Sequence, residues 1–314
     1  MLRFLPFLLA CFTFAATPPK SSVPEPSIII PLWVDPADIK IAPSDLHVFI
    51  NNQPARILKL LNPDSDLIIL TVLDLTGDLA LVEPAKESLI AEFDKLPPNV
   101  WVALLHAQEG LAVLSDPTSD RTAVSQQIES LPISGKAGLL TTLDQALTLA
   151  DGMLHKADVR VAVLYITDSD VTNYREDLTN PVINSSDPHD LSRRFPDSLI
   201  RERASRLERQ LAHTTTPLFI VHLQDRSSGL NQSYQSALSS LADSTAGLAV
   251  FCRSNGAIPE EISKMLNFIQ ASYFVTLARL PRPAPSLQLR VEWSSDDKSG
   301  SHLNYRSRIL VRQR

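Results

Sequence analysis

Five oxygen-bearing side chains stand where this chain could bind a metal ion. They are Asp74, Thr76, Asp78, Thr141 and Asp168. Clustered carboxylates raise one another's pKa unless a cation neutralises them. Hard oxygen ligands suit Mg²⁺, with Mn²⁺ or Ca²⁺ as alternatives, whereas zinc would need a set of His or Cys ligands that the sequence does not show. The residue types therefore predict a Mg²⁺ site, provided that the fold brings their three loops together.

The segments around these residues predict how they are positioned. Residues 67–73 and 159–166 are apolar on both faces, like central strands of a parallel sheet, and Asp74 and Asp168 follow closely after them. Strand and helix patterns alternate along the chain, which predicts an α/β fold: a doubly wound, mostly parallel sheet with helices on both faces. Ligands of such sheets bind where the strands end, so we expect the three loops to meet at one edge.

The two ends of the chain have a different pattern. Apolar runs at 46–50 and 55–61 around an Asn-rich turn predict a hairpin. Residues 287–293 alternate with period two, as a half-exposed strand does, and 305–312 is expected to return antiparallel to it. Neither end can bury a core alone, so we expect a small β-layer built from both.

These patterns predict four parts of the chain. They are a signal peptide at 1–16, an N-terminal β flank at 17–66, an α/β domain at 67–275 and a C-terminal β flank at 276–314.

The order and spacing of the site residues resemble the von Willebrand factor A (VWA) domain family. Its metal-ion-dependent adhesion site reads Asp-x-Ser-x-Ser after the first strand, then Thr before a helix, then Asp after the central apolar strand. Asp74 and Thr76 match the first two positions, while Thr141 and Asp168 match the other two. Segments 45–54 and 241–247 resemble the exported bacterial branch. The resemblance implies a Rossmann-like fold and a non-enzymatic module that binds a protein or an envelope component.

Asp78 departs from the family pattern, which has a serine there. In the family's site the bound hydroxyls are neutral, so the ion keeps surplus positive charge and attracts a carboxylate of the partner. A coordinating Asp78 would quench that charge. Either the ion is structural here, or the site is degenerate and binds none. Asp and Thr at strand ends also commonly cap turns and helices, which is the alternative to metal binding.

Two other functions stay open. An apolar strand ending in Asp74, with acidic residues at 168–170, is similar to the Mg²⁺-dependent haloacid-dehalogenase-like phosphohydrolases, in which the first Asp is the nucleophile. That chemistry needs a second Asp where Thr76 stands. The other alternative is a purely structural envelope component. Gly-x-Ser-x-Gly and P-loop motifs are missing from the sequence, and a net charge of −6 disfavours a nucleic-acid partner.

The N-terminal sequence predicts export. A basic start, an apolar run at 4–14 and small residues after it are typical of a secretory signal peptide, and the run is too short to span a bilayer. We therefore expect a secreted, periplasmic or cell-envelope protein whose mature chain has no transmembrane span. Lipidation at Cys11 is the weaker alternative. Cleavage of the signal peptide would remove Cys11 and leave Cys252 as a buried structural thiol, which suits a bacterial envelope protein without disulfides.

A long polar loop, 171–196, carries several carboxylates close to the predicted site. Loops of that length are often functional or disordered, and the sequence leaves the choice open.

Overall fold

The computed structural model describes residues 27–37, 39–107, 110–132, 138–169, 196–227, 229–278, 284–294 and 301–310. The predicted signal peptide, Cys11 and residues 171–195 of the long loop lie outside the described residues. The strands are β1 Ser27–Asp35, β2 Leu46–Ile50, β3 Gln53–Pro54, β4 Ile57–Leu61, β5 Leu67–Asp74, β6 Val100–Ala107, β7 Leu111–Thr118, β8 Arg160–Thr167, β9 Leu218–His222, β10 Leu248–Phe251, β11 Tyr273–Ala278, β12 Ser286–Trp293, β13 His302–Tyr305 and β14 Arg308–Leu310. The helices are α1 Leu79–Phe93, α2 Arg121–Glu129, α3 Leu139–Lys156, α4 Pro196–Leu211, α5 Gly229–Ser244 and α6 Ile258–Gln270.

A six-stranded sheet forms the centre of the molecule, in the order β10-β9-β8-β5-β6-β7. All neighbours in it are parallel except β7, which runs antiparallel to β6 at one edge. The predicted fold class is confirmed. The two middle strands pair in register from Leu67 beside Arg160 to Asp74 beside Thr167, so the ends of β5 and β8 lie next to each other.

Helices cover both faces of this sheet and bury its alternating side chains. On one face α1, α2 and α6 pack over residues such as Ile69 and Leu104. On the other face α3, α4 and α5 pack over residues such as Leu70 and Val163. Because both faces are covered, β5 and β8 are apolar along nearly their whole length.

Helix α1 contains a proline. Asp78 accepts a hydrogen bond from Ala80 N as the N-cap, so Pro84 stands inside the helix. A proline has no N–H to give to the carbonyl four residues before it. Asn255 supplies the missing donor, because its Nδ2 lies 3.0 Å from Ala80 O.

The two flanks form the predicted β-layer, which is itself double. One sheet has the order β13-β1-β11-β4 and the other β14-β12-β2-β3, and they bury a shared apolar core. The first sheet also packs against the α/β part. Trp33 of β1 belongs to the core on one face of the central sheet, and Phe274 of β11 belongs to the core on the other face. Strand β11 crosses the boundary expected at residue 275, since it spans Tyr273–Ala278 and pairs within the flanking layer.

The predicted hairpin at 46–61 is wrong beyond its turn. Asn51 and Asn52 adopt φ of 50° and 64°, as a tight turn requires, but across that turn β2 pairs with only the two residues of β3, and its other neighbour is β12. Strand β4 instead pairs with β11 in the facing sheet. The chain crosses between the sheets after Ala55 because both sheets bury apolar side chains in one core.

The last predicted strand is divided. β14 returns antiparallel to β12 as expected, whereas β13 pairs with β1 in the other sheet. Cys252 is buried, as predicted, and burial raises the pKa of its thiol to about 12. Within the described ranges, no helix is long and apolar enough to cross a membrane.

Candidate functional site

Three loops meet where the parallel strands end. Residues 74–78 follow β5, residues 138–141 lead into α3, and residues 167–169 end β8; we call this region the carboxyl edge. The Asp168 amide lies 3.4 Å from the Asp74 carbonyl oxygen, and α3 begins directly beside Asp74. The structure therefore brings together the three loops that the sequence predicted to converge.

Asp74 lies at the bottom of the carboxyl edge and is completely buried. Its Oδ1 accepts a hydrogen bond from Gly138 N at 2.8 Å, and its Oδ2 accepts from Leu139 N at 3.1 Å. The Thr167 hydroxyl donates to Oδ2 at 3.0 Å, and the Ser169 hydroxyl lies 3.4 Å from the same oxygen. The first two donors are the amides at the N-terminus of α3, where the helix dipole favours negative charge.

The environment of Asp74 opposes its ionisation. The pKa of Asp74 is raised to about 7: burial is the largest cause and nearby Asp168 adds to the rise, while the hydrogen bonds from Gly138, Thr167 and Leu139 oppose it. Desolvation therefore outweighs the hydrogen bonds that favour the charged form.

Asp168 binds the loop after β5. Its Oδ1 accepts from Thr76 N at 2.5 Å, and its Oδ2 accepts from Gly77 N at 3.2 Å and Asp78 N at 3.3 Å. Three consecutive amides thus surround one carboxylate, an arrangement that neutralises an anion with backbone dipoles. Gly77 has φ of 132°, a conformation that favours glycine, so the amides can turn toward Asp168.

Among the described residues, no hydrogen bond joins the side chains of the other three predicted ligands to Asp74 or Asp168. The exposed Thr141 hydroxyl donates to Gly138 O at 2.9 Å. Exposed Asp78 caps α1 through Oδ1, and Thr76 contributes its backbone amide. Across the described part of the chain, no group of three or more His, Cys, Asp or Glu side chains is arranged to hold an ion.

The order of strands and helices, with these loops at one sheet edge, agrees with the family resemblance. A doubly wound α/β fold with this strand order is what the resemblance implied. The chain is similar to a von Willebrand factor type A structure from Catenulispora acidiphila, with 12% identity over 91% of this chain and 74% of that chain and a TM-score of 0.45. The vWF domain of the type V pili tip protein Mfa5 from Porphyromonas gingivalis shares 14% identity over 71% of this chain and 99% of that one, with a TM-score of 0.42.

A third similar structure is the D319A mutant of the PilB minor pilin from Streptococcus sanguinis. It shares 10% identity over 66% of this chain and 62% of that chain, with a TM-score of 0.49. At these identities the similarity concerns the fold alone. No protein-family model matches the sequence, and no curated protein matches it.

Beneath the carboxyl edge lies a buried network of polar side chains that the sequence did not predict. The Thr142 hydroxyl donates to Gly138 O at 2.8 Å and lies 2.9 Å from the Tyr165 hydroxyl. Ser169 Oγ lies 2.6 Å from Thr167 Oγ1 and 3.2 Å from the hydroxyl of Tyr234 on α5. The network connects β8 with α3 and α5. Its only sequence signal is polar residues within or directly after apolar segments.

His222 completes the network from the neighbouring strand. Its Nδ1 accepts from Gln224 N at 3.2 Å, so the proton belongs on Nε2, which lies 2.7 Å from Ser169 O and donates to it. Burial lowers the pKa of His222, which favours this neutral form. The ring therefore fixes the backbone next to Asp168 and is not free for catalysis.

Gly138 explains why the loop before α3 can approach Asp74. A Cβ at this position would lie 1.9 Å from Ala107 O on β6. Only a residue without a side chain fits between the strand and the helix, so Gly138 holds its amide against the Asp74 carboxylate.

This geometry does not fit a resident divalent ion. The carboxylates of Asp74 and Asp168 are directed at protein donors, the Thr141 hydroxyl at a carbonyl, and Asp78 at its own helix. An ion would have to displace those bonds. The metal set predicted from the sequence stays a prediction, and the contacts favour its degenerate form.

Proposed function

We propose that this chain is an exported, non-enzymatic binding module of the VWA type that contacts a protein partner of the cell envelope through its carboxyl edge. The observation that carries the proposal is the exposure of Leu79, the first residue of α1. Its side chain is 61% exposed, more than any other large apolar residue among those described as exposed. It follows exposed Asp78 directly, and the amides of residues 76–78 are hydrogen-bonded to the Asp168 carboxylate.

An exposed leucine on a fixed backbone suits recognition. Contact residues bind well when they are held in place before binding, because less conformational entropy is lost. The amides around Asp168 fix the loop that precedes Leu79, and the Asp78 cap fixes the first turn of α1. Burying Leu79 in a partner's pocket would contribute about 1.5–3 kcal/mol.

The contacts of Asp74 argue against the phosphohydrolase alternative. A nucleophilic carboxylate must reach the substrate's phosphorus. Asp74 is fully buried, and both of its oxygens accept hydrogen bonds from the protein. We expect no turnover of an aryl phosphate with Mg²⁺ present. Mg²⁺-dependent turnover that Asp74→Ala abolishes would contradict the proposed function.

A photo-crosslinking amino acid at position 79 tests the contact surface. The matched control carries it at Val113 on the edge strand β7, which is 54% exposed. In cells that make the protein, we expect one crosslinked partner from position 79, removed by excess unmodified chain, and none from position 113. Crosslinking from position 113 alone would refute the proposed surface.

Substitution then measures the contribution of the side chain. With the crosslinked partner purified, Leu79→Ser should weaken its binding by about tenfold or more, because burial of the leucine is lost. Val113→Ser should leave the affinity unchanged. Equal affinities for both variants would show that Leu79 lies outside the contact.

A further inference from the structure

We propose that the carboxyl edge does not bind divalent cations. N–H and O–H groups of the protein bind the carboxylate oxygens that would otherwise face the ion of a VWA-type adhesion site. The proposal rests on where the polar atoms of this edge are directed. It concerns the chain alone and holds whether or not a partner is found.

The first step is Asp168, the residue that matches the late aspartate of the family pattern. Its two oxygens accept three amide hydrogen bonds, from Thr76, Gly77 and Asp78. Amides of successive residues act as partial positive charges directed at one point, as in anion-binding loops. These bonds stabilise the carboxylate and direct both of its oxygens at donors of the protein.

The second step is Asp74, which has no exposed surface. The Gly138 and Leu139 amides and the Thr167 hydroxyl are all within 3.1 Å of its oxygens. Small hard cations bind several oxygens at once and usually keep water ligands. A carboxylate that is closed to solvent and bonded to the N-terminus of α3 leaves no room for either.

The side chains of Thr141 and Asp78 also bond within the protein. The Thr141 hydroxyl donates within its own helical turn, to Gly138 O. Asp78 caps α1 and is exposed, so its charge faces solvent rather than the interior of the edge. The Thr141 hydroxyl and Asp78 Oδ1 are thus both engaged within the protein.

One consequence applies to the function proposed above and depends on it. Without an ion, a partner's carboxylate has no positive centre to bind, and exposed Asp78 would repel it. Binding through Leu79 should therefore resist chelators. Loss of binding in EDTA would overturn the cation proposal, whereas failure to find a partner would affect only the proposed function.

Titration calorimetry of the purified chain with Mg²⁺, Mn²⁺ and Ca²⁺ tests the proposal directly. The matched variant is Asp78→Ser, which restores the serine of the family pattern and keeps a residue that caps helices well. Thermal unfolding checks that the variant is folded. We expect no saturable binding in either protein, because the donors to Asp74 and Asp168 are the same in both.

Two results would overturn the proposal. Saturable one-to-one binding by the unmodified chain would show that an ion displaces the internal donors. Binding by Asp78→Ser alone would show that the Asp78 side chain, rather than the internal donors, keeps ions out.

Discussion

Two fully buried charged groups lie at opposite ends of the central sheet, and the protein solvates them in opposite ways. Asp74 ends β5 at the carboxyl edge and is surrounded by amide and hydroxyl donors. Arg160 begins β8 at the other end and donates to four backbone carbonyls. Among the described residues, neither has a direct ion pair, so backbone dipoles supply most of the compensation at both ends.

The carbonyls around Arg160 belong to the two connections between the α/β part and the β-layer. Nη2 lies 2.7 Å from Pro63 O and 2.8 Å from Ser65 O, before β5. Nη1 lies 2.7 Å from Gln270 O and 2.9 Å from Ser272 O, after α6. A single side chain therefore holds both connections together.

The difference between the two groups lies in the permanence of their charge. Burial lowers the pKa of Arg160 to about 10, so it stays charged at neutral pH. Burial raises the pKa of Asp74 to about 7, so its charge varies near neutrality. Arg160 therefore acts as a permanently charged anchor at its end of the sheet, whereas burial destabilises the charged form of Asp74 at the carboxyl edge.

The largest effect is expected from removing the anchor. Arg160→Met leaves four carbonyls without their donor and should lower the free energy of unfolding by about 5 kcal/mol, as measured in urea. Arg206→Met is the control, because its exposed pair with Glu202 should contribute less than about 0.5 kcal/mol. A loss below about 1 kcal/mol for Arg160→Met would show that the anchor is dispensable.

The pH dependence of stability tests the variable charge of Asp74. A carboxyl whose pKa rises from 3.8 to about 7 on folding binds its proton more tightly in the folded state. Stability should therefore fall as pH rises between about 4 and 7, by up to about 4 kcal/mol from this group, and level off above that window.

Asp74→Asn lacks this titration and isolates it. Measured in urea across the window, the free energy of unfolding of the unmodified chain should fall relative to that of Asp74→Asn as pH rises, because only the unmodified chain loses the contribution. Parallel curves would mean that Asp74 does not titrate there.

Gly138 tests how tightly the carboxyl edge is built. Gly138→Ala places a Cβ against Ala107 O and should cost about 2–3 kcal/mol by moving the amide that binds Asp74. Gly152 on the same helix α3 is the control. A Cβ there meets nothing within 4 Å, so Gly152→Ala should stabilise by up to about 1 kcal/mol. Equal effects of the two substitutions in thermal unfolding would contradict the close approach.

The smallest effect is expected at the rim. Asp78→Ala removes the cap of α1 and should cost about 1 kcal/mol, while Asp78→Ser should stay close to the unmodified chain. Urea titrations of the three proteins measure the difference. A stability gain in Asp78→Ala would instead show that repulsion among the carboxylates outweighs the cap.

Much of the fold could be predicted from apolar patterns alone. Segments such as 67–73 and 159–166 have no polar face, which is enough to identify central strands and the edge where they end. Pairing across the β-layer could not be predicted, because β1 and β11 come from distant parts of the chain and periodicity does not reveal partners. The hairpin prediction failed for that reason.

The candidate site was predicted only as a set of residues. An aspartate after a strand can bind an ion or accept amides equally well, and the deciding groups are backbone N–H groups that every sequence has. The role of Arg160 was not predicted, because in the sequence it is a single charged residue within an apolar segment. Gly138 was not predicted as a site residue, although its close contact with β6 is what positions α3.

The most direct test of the central claim is a crystal structure grown with Mn²⁺ and measured at the manganese absorption edge. We predict no anomalous peak at the carboxyl edge, with Asp168 still accepting the amides of Thr76, Gly77 and Asp78. A peak within bonding distance of Asp74, Asp168 or Thr141 would contradict the claim and restore the metal site that the sequence predicts.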